Sequence, residues 1–192
     1  MARFVLIGVS GYVAKRHLAA IKNIGGDLVA AFDPNDSAGI LDSFFPEARF
    51  FTSIERLDRF LMMLKSEGAL PEFISICSPN YVHDAHVKFA LRLCMDAICE
   101  KPLVINPKNL DGIKLCEHQS GCKVNVIHQL RLNDSVVHLR DHIKSRSVSE
   151  LSDVKIKYVT ARGDWYHNSW KGDEEKSGGI AMNIGIHLFD VL

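Results

Sequence analysis

Long apolar runs are missing from this chain. No stretch approaches the ~20 consecutive apolar residues needed to cross a bilayer, so no membrane helix is expected. An excess of charge of one sign is missing too. The 23 Lys and Arg residues balance 23 Asp and Glu, which argues against nucleic acid as a main partner. The five cysteines, at 77, 94, 99, 116 and 122, contain no C-x-x-C pair. Zinc spacing is therefore absent, and the thiols read as small buried residues of a reduced, cytoplasmic chain. His83 and His86 in "HDAH" stand at i, i+3 without a partner cluster, so no metal is expected. The opening "MARFVLIGV" is too short for a signal peptide and reads as a buried strand.

What is there is a soluble-type composition, 47% hydrophobic and 24% charged over 192 residues, enough for one sizeable domain or one plus part of another. Short apolar runs at 3–9, 27–33, 48–51, 72–78, 95–100 and 122–128 alternate with helical spacings. Ala14, Leu18 and Ile21 share one helix face, as do Ile54, Leu57, Leu61 and Leu64, and again Val82, Ala85, Phe89 and Leu93. Alternation of this kind predicts right-handed βαβ units: an α/β, Rossmann-type, doubly wound parallel sheet. After residue 130 the pattern changes. A polar helix is expected near 134–145, with Asn133 as N-cap. A strand is expected where Val154, Ile156 and Tyr158 alternate with Lys155 and Lys157. The boundary falls at 130/131, with a nucleotide-type domain over 1–130 and a second domain beginning at 131.

"VLIGVSGYVAKRHLAAI" runs from strand through a glycine turn into a helix. Gly8 and Gly11 allow a tight turn and close approach to a pyrophosphate, which the helix N-terminus attracts. The pattern is G-x-x-G-x-x-A rather than G-x-G-x-x-G, with Ala14 in the close-packing position. Asp33 ends the second strand and is placed to accept hydrogen bonds from a ribose, which favours NAD over NADP. The alternative for Asp33 is a turn residue of "DPND".

Two further strand ends carry chemistry, "ICSPNYVHDAH" and "AICEKPLVINP". In open parallel sheets the ligand lies beyond the carboxyl ends of the strands. Pro102 favours an extended Lys101, and a desolvated lysine there exchanges protons near neutral pH. The alternative is a surface lysine paired with Glu100. In the closing "GGIAMNIGIHLFDVL", Asn183, His187 and Asp190 form one polar strip on an otherwise apolar helix, as if facing a cleft. No Gly, Pro or basic turn marks a helix end, so the chain is expected to be C-terminally truncated.

Together G-x-x-G-x-x-A-x-x-H, "SPNYVHDAH", "CEKPL" and "GGIAMNIGIHLFD" resemble the Gfo/Idh/MocA oxidoreductase family. Within it, "FDPNDS", "FFPEARFFT", "QLRL" and "RGDWYHNSWKGD" are most similar to UDP-N-acetylglucosaminuronate 3-dehydrogenases of bacterial surface-polysaccharide (O-antigen, lipopolysaccharide) synthesis. The resemblance spans the whole chain. It departs at Asn133-Asp134, where the family often has His-Pro. It implies that the second domain is the start of an α+β unit with an open antiparallel sheet, used for homo-oligomer contact when complete.

The resemblance implies oxidation of the sugar 3-hydroxyl with NAD as hydride acceptor. Lys101 and His187 form the acid/base pair. Cofactor contacts are expected from Gly8, Gly11, Tyr12, Val13, Asp33, Asn35, Ser78, Asn80, His83, Glu100 and Lys101. Substrate contacts are expected from Lys101, Arg131, Trp165, Tyr166, Trp170, Lys171, Asn183 and His187. Arg131 and Lys171 are candidates for the uronate carboxylate or diphosphate. The aromatic residues read equally as second-domain core, and His187 as a satisfied buried histidine. The competing readings are a dehydrogenase of another sugar or inositol, and an NAD-binding fragment without turnover.

Overall fold

The computed structural model describes residues 1–147, 151 and 153–192. At its centre six parallel strands run in the order β3-β2-β1-β4-β5-β6. They are β1 (Arg3–Ile7), β2 (Asp27–Phe32), β3 (Arg49–Phe51), β4 (Phe73–Ile76), β5 (Asp96–Cys99) and β6 (Val124–Val126). The connecting helices are α1 (Ala14–Asn23), α2 (Ile40–Phe44), α3 (Ile54–Ser66), α4 (His83–Leu93) and α5 (Asn109–Ser120). The order reverses between β1 and β4, which makes that gap the topological switch point of a doubly wound sheet.

Strand alternation divides the core into two layers. Phe4 and Leu6 of β1 pack with Leu18 and Ile21 of α1 on one face. Val5 and Ile7 pack with Leu57 and Leu61 of α3 and Leu91 of α4 on the other. Helix α3 starts on Ser53, whose hydroxyl accepts from the Arg56 amide at 3.3 Å. The helix α5 was not visible as a periodic pattern because only Ile113 is buried along it and Gly112 interrupts its face.

Beyond the sheet, α6 (Asp134–Lys144) begins as expected on Asn133, whose side-chain oxygen accepts from the Ser135 amide at 3.1 Å. The strand expected over Val154, Ile156 and Tyr158 is not formed. Residues 153–163 are irregular and exposed, because no neighbouring strand among the described residues offers them a ladder. Ser152, at the start of that stretch, lies outside the described residues. Two short helices come next, α7 (Asp164–His167) and α8 (Glu174–Ser177).

The closing helix also differs from a uniform reading. Ala181–Gly185 form a π turn that leads into α9 (Ile186–Val191). A π turn widens the hydrogen-bond ladder and rotates the helix beyond it. Asn183 and His187 nevertheless face one cavity, while Asp190 beyond them pairs with Arg131. No helix among the described residues is long and apolar enough to cross a membrane.

Leu61 is fully buried between α3 and the sheet. Leu61→Ala is expected to cost about 2–5 kcal/mol, read as a lower urea midpoint with unchanged slope; a loss under 1 kcal/mol, on the order of a surface change, would contradict the core described.

Candidate active site

The parallel register extends one residue past each strand. Gly8 N donates to Phe32 O at 2.7 Å, Cys77 N to Ile7 O at 2.8 Å and Glu100 N to Ile76 O at 3.0 Å. This row sets Gly8, Asp33, Cys77 and Glu100 side by side along one sheet edge. The glycine turn sits there under steric compulsion. Gly8 has φ +85°, and a Cβ on it would lie 2.6 Å from Ser78 N. A Cβ on Gly11 would lie 3.0 Å from Gly8 O. Only glycine leaves the edge open for a ligand backbone.

Four cavities run along this edge; one of about 650 Å³ is lined by His17, Ser75, Glu100, Lys101 and His187, and three others carry the remaining candidates. The first, about 480 Å³, is bordered by Gly8, Asp33, Asn35, Ser78, His86 and Trp170. Asp33 is only 5% exposed, and its carboxylate accepts from the amides of Ser10 at 2.9 Å and Asn35 at 3.0 Å. Asn35 thus supports Asp33 with its backbone, and its side-chain amide donates to the same carboxylate at 3.2 Å. His86 Nδ1 meets Ser78 Oγ at 2.8 Å. Burial lowers the His86 pKa to about 4, so this ring is neutral at physiological pH.

The second cavity, about 200 Å³, is lined by Gly11, Tyr12, Val13, Ser78, Glu100 and Lys101, among others. Asn80 and His83 border it but are already engaged. Asn80 Nδ2 donates to Ser177 O at 2.8 Å, tying α8 to the sheet edge. His83 is 1% exposed, with Nδ1 2.7 Å from Pro102 O and Nε2 2.7 Å from Ser78 O. Carbonyls only accept, so the doubly protonated ring alone satisfies both. Burial opposes this and lowers the His83 pKa. Either way its polar atoms hold the loops after β4 and β5 together.

The third cavity, about 450 Å³, brings Lys101 together with Arg162, Trp165, Lys171, Asn183 and His187. Lys101 Nζ donates to Asn183 O at 2.6 Å, a contact across 82 residues of sequence. Burial lowers the Lys101 pKa; Glu100 opposes the shift, while Lys171 and Arg162 add to it. Burial is also the main cause lowering His187, followed by the nearby Lys101. His187 Nδ1 is buried and has no hydrogen-bond partner among the described residues.

Tyr166 is buried, and its hydroxyl accepts from Asn183 Nδ2 at 2.9 Å. Lys171 Nζ lies 5.3 Å from the Trp165 ring centre, 5.7 Å from Trp170 and 5.9 Å from Tyr12. Cation–π contacts to three rings aim this ammonium into the site. Trp165 itself is 60% exposed, so it is not a core residue.

Arg131 stands apart. Its guanidinium donates to both carboxylate oxygens of Asp190, Nε at 3.0 and 2.9 Å, and it borders none of the three cavities. The sequence reading overlooked Arg162, which does face the third cavity and sits 5.2 Å from the Tyr166 ring. Its signal was its place beside the aromatic stretch "RGDWY". Among the described residues no group of three His, Cys, Asp or Glu is gathered as for a metal.

Residues 2–128 match the family described as "Oxidoreductase family, NAD-binding Rossmann fold". Residues 140–192 match "Oxidoreductase family, C-terminal alpha/beta domain". A WlbA (WbpB) dehydrogenase from Thermus thermophilus, solved with NAD and UDP-GlcNAcA, is 45% identical with a TM-score of 0.92. The match covers 100% of this chain and 62% of that one. A WlbA dehydrogenase from Bordetella pertussis, solved with NADH and UDP-GlcNAcA, is 21% identical. It shares the fold at TM-score 0.86, over 99% of this chain and 58% of its own. Glucose-6-phosphate 3-dehydrogenase of Bacillus subtilis is 24% identical over all of this chain and 53% of its own length. The chain thus spans between about half and two thirds of these relatives.

The edge fits a dinucleotide: glycine-only backbone beside the helix α1, and a fixed carboxylate one strand away. Asp33→Ala removes a charged acceptor, an effect of about 1.5–3 kcal/mol. NAD affinity by calorimetry is expected to fall at least tenfold; an unchanged affinity would remove Asp33 from the site.

Proposed function

Because the chain belongs to the Gfo/Idh/MocA oxidoreductase family, we propose that it acts in the NAD-dependent oxidation of a sugar nucleotide. The substrate we assign is UDP-N-acetylglucosaminuronic acid, oxidised at its 3-hydroxyl to the ketone. The observation that carries this reading is the Lys101–Asn183 contact at 2.6 Å. It sets the titratable amine of a sheet edge in one cavity with His187 and the polar side of the closing helix.

NAD+ supplies the acceptor for the hydride that leaves C3. Gly8, Gly11, Tyr12, Val13 and Ser78 would hold it along the edge, with Asp33 at a ribose. The hydroxyl proton passes to Lys101 or His187, and the other member of the pair orients the oxygen. Both groups have pKa values lowered mainly by burial, which increases the fraction of free base at neutral pH. Lys171 and Arg162 give the cavity the positive charge that a uronate or diphosphate requires, and Trp165 and Trp170 offer flat apolar surface. The ligands of the Thermus relative support the substrate class. The likeness of "DWYHNSW" and its surroundings to the polysaccharide enzymes supports a cytoplasmic step in surface-polysaccharide assembly. We place the division between the cofactor and substrate units at 130/131.

One observation favours a second reading, cofactor binding without turnover. Among the described residues after 130, only Tyr166 and Ser177 are buried.

Single-turnover absorbance at the NADH band decides between the two. With NAD+ and UDP-N-acetylglucosaminuronic acid a rise is expected, slowed about 10²–10⁴-fold in Lys101→Met. NAD binding without any rise would establish the second reading. A base must be unprotonated, so the rate is expected to climb with pH through the Lys101–His187 pair. The climb should finish below the ordinary lysine range, because burial lowers both groups. A rate still climbing at pH ~10.4, the free lysine value, would contradict a lowered base.

A further inference from the structure

Not all the thiols are the small buried residues that the sequence suggests. Cys94 is exposed. It caps α4 with φ +66°, the left-handed conformation that favours glycine at a helix end. Among the described residues no other non-glycine has a positive φ. A cysteine kept where glycine would serve better points to a use for its side chain.

Two neighbours supply that use. Lys65, in the last turn of α3, donates from Nζ to Cys94 Sγ at 3.4 Å. Reactive thiols sit in accessible, electropositive places of this kind. The other neighbour is Cys122, a partly buried free thiol just before β6. The ladder sets Ala97 of β5 beside Val124 of β6. Ala97 N donates to Lys123 O at 2.9 Å, and Lys123 N donates to Asp96 Oδ1 at 2.8 Å. Counting back in this register brings Cys122 beside Met95, one residue from Cys94. Adjacent strands lie about 4.8 Å apart and one residue adds about 3.3 Å, so the two Cα atoms are about 6 Å apart. A disulfide spans about 4.4–6.8 Å between Cα atoms. Cys122 packs on the core layer that holds Leu64 of α3 and Leu91 of α4, the side from which Lys65 approaches.

We propose that Cys94 and Cys122 form a reversible redox site that reacts with hydrogen peroxide. The Cys94 thiolate attacks one peroxide oxygen; an S–O bond forms and the O–O bond breaks. The departing hydroxide takes a proton from the Lys65 ammonium and leaves as water. The Cys122 thiolate then attacks the sulfenic sulfur; an S–S bond forms, the S–O bond breaks, and the second hydroxide is protonated by solvent. Two thiols and one peroxide give one disulfide and two waters, the sulfur pair losing the two electrons that the peroxide gains. Cys94 is the attacking thiol because it is exposed. Burial raises the Cys122 pKa, which suits the thiol that waits for a sulfenic partner. Disulfides in reducing compartments are mostly transient and redox-sensing. Both residues precede their strands, at the end of the sheet away from Lys101, so the site is separate from the cavities described above.

The test is peptide mapping of the full chain after exposure to hydrogen peroxide, with free thiols alkylated before digestion. A cross-linked peptide joining Cys94 to Cys122 is expected, and dithiothreitol is expected to remove it. In Cys122→Ser the sulfenic acid has no thiol to resolve it, and a dimedone adduct on Cys94 is expected. Lys65→Met is expected to slow that adduct at least threefold. Cys94→Gly, which suits the left-handed cap, is expected to fold and to leave Cys122 unmodified. Both thiols recovered free, or Cys94 linked only to another molecule, overturns the proposal. So does a Cys122 that oxidises as fast in Cys94→Gly as in the parent chain, or an adduct that forms as fast in Lys65→Met. None of these readouts depends on the proposed dehydrogenase activity.

Discussion

One row of main-chain hydrogen bonds holds the site together. Parallel pairing carries the strands into register, and the register persists for one residue past their ends, at Gly8, Cys77 and Glu100. Parallel strands with buried faces put all their carboxyl ends on the same side, so three loops that are far apart in sequence must share one edge. The reversal of strand order between β1 and β4 opens the edge at Gly8. There the backbones of Gly8 and Cys77–Ser78 approach too closely for any side chain.

The second half of the chain depends on that edge. It has little buried surface of its own and is joined to the first half chiefly by polar ties. Asn80 holds the end of α8 and Lys101 holds the π turn. Each tie is worth only about 0.5–3 kcal/mol, so placement here comes from geometry more than from core packing. Asn80 and Lys101 therefore both join the two halves and border the cofactor cavity. The Glu100–Lys101–Pro102 turn is gripped on both sides, by His17 at the Glu100 carboxylate and by His83 at the Pro102 carbonyl.

Much of the sheet was legible because buried parallel strands leave contiguous apolar runs, and all six appear in the sequence. The helix α5 was hidden because only Ile113 along it is buried, with Leu110 and Cys116 partly so and a glycine beside them. Val154, Ile156 and Tyr158 alternate as a strand does, but alternation does not provide a partner. In the site, glycine spacing and Asp33 were readable from local physics alone. Lys101 and His187 were visible as candidates at a strand end and on a polar strip, but their roles and those of the aromatic residues came from the family resemblance. Arg131 was read as a substrate contact without sight of its partner, since an arginine in a loop carries no sign of Asp190, 59 positions away. His83 was read as a cofactor contact, and its two carbonyl partners were not legible in the sequence. The π turn left no readable trace, since Ala181–Gly185 are compatible with an ordinary helix.

The central claim is that one ligand lies along the whole edge, from Asp33 to Lys101. A crystal structure of this chain grown with NAD+ tests it most directly. The adenosine ribose is expected against the Asp33 carboxylate, the pyrophosphate over Gly8 and Gly11, and the nicotinamide end beside Lys101. A dinucleotide bound with its ribose away from Asp33, or with its nicotinamide outside the cavity shared by Lys101 and His187, would contradict it.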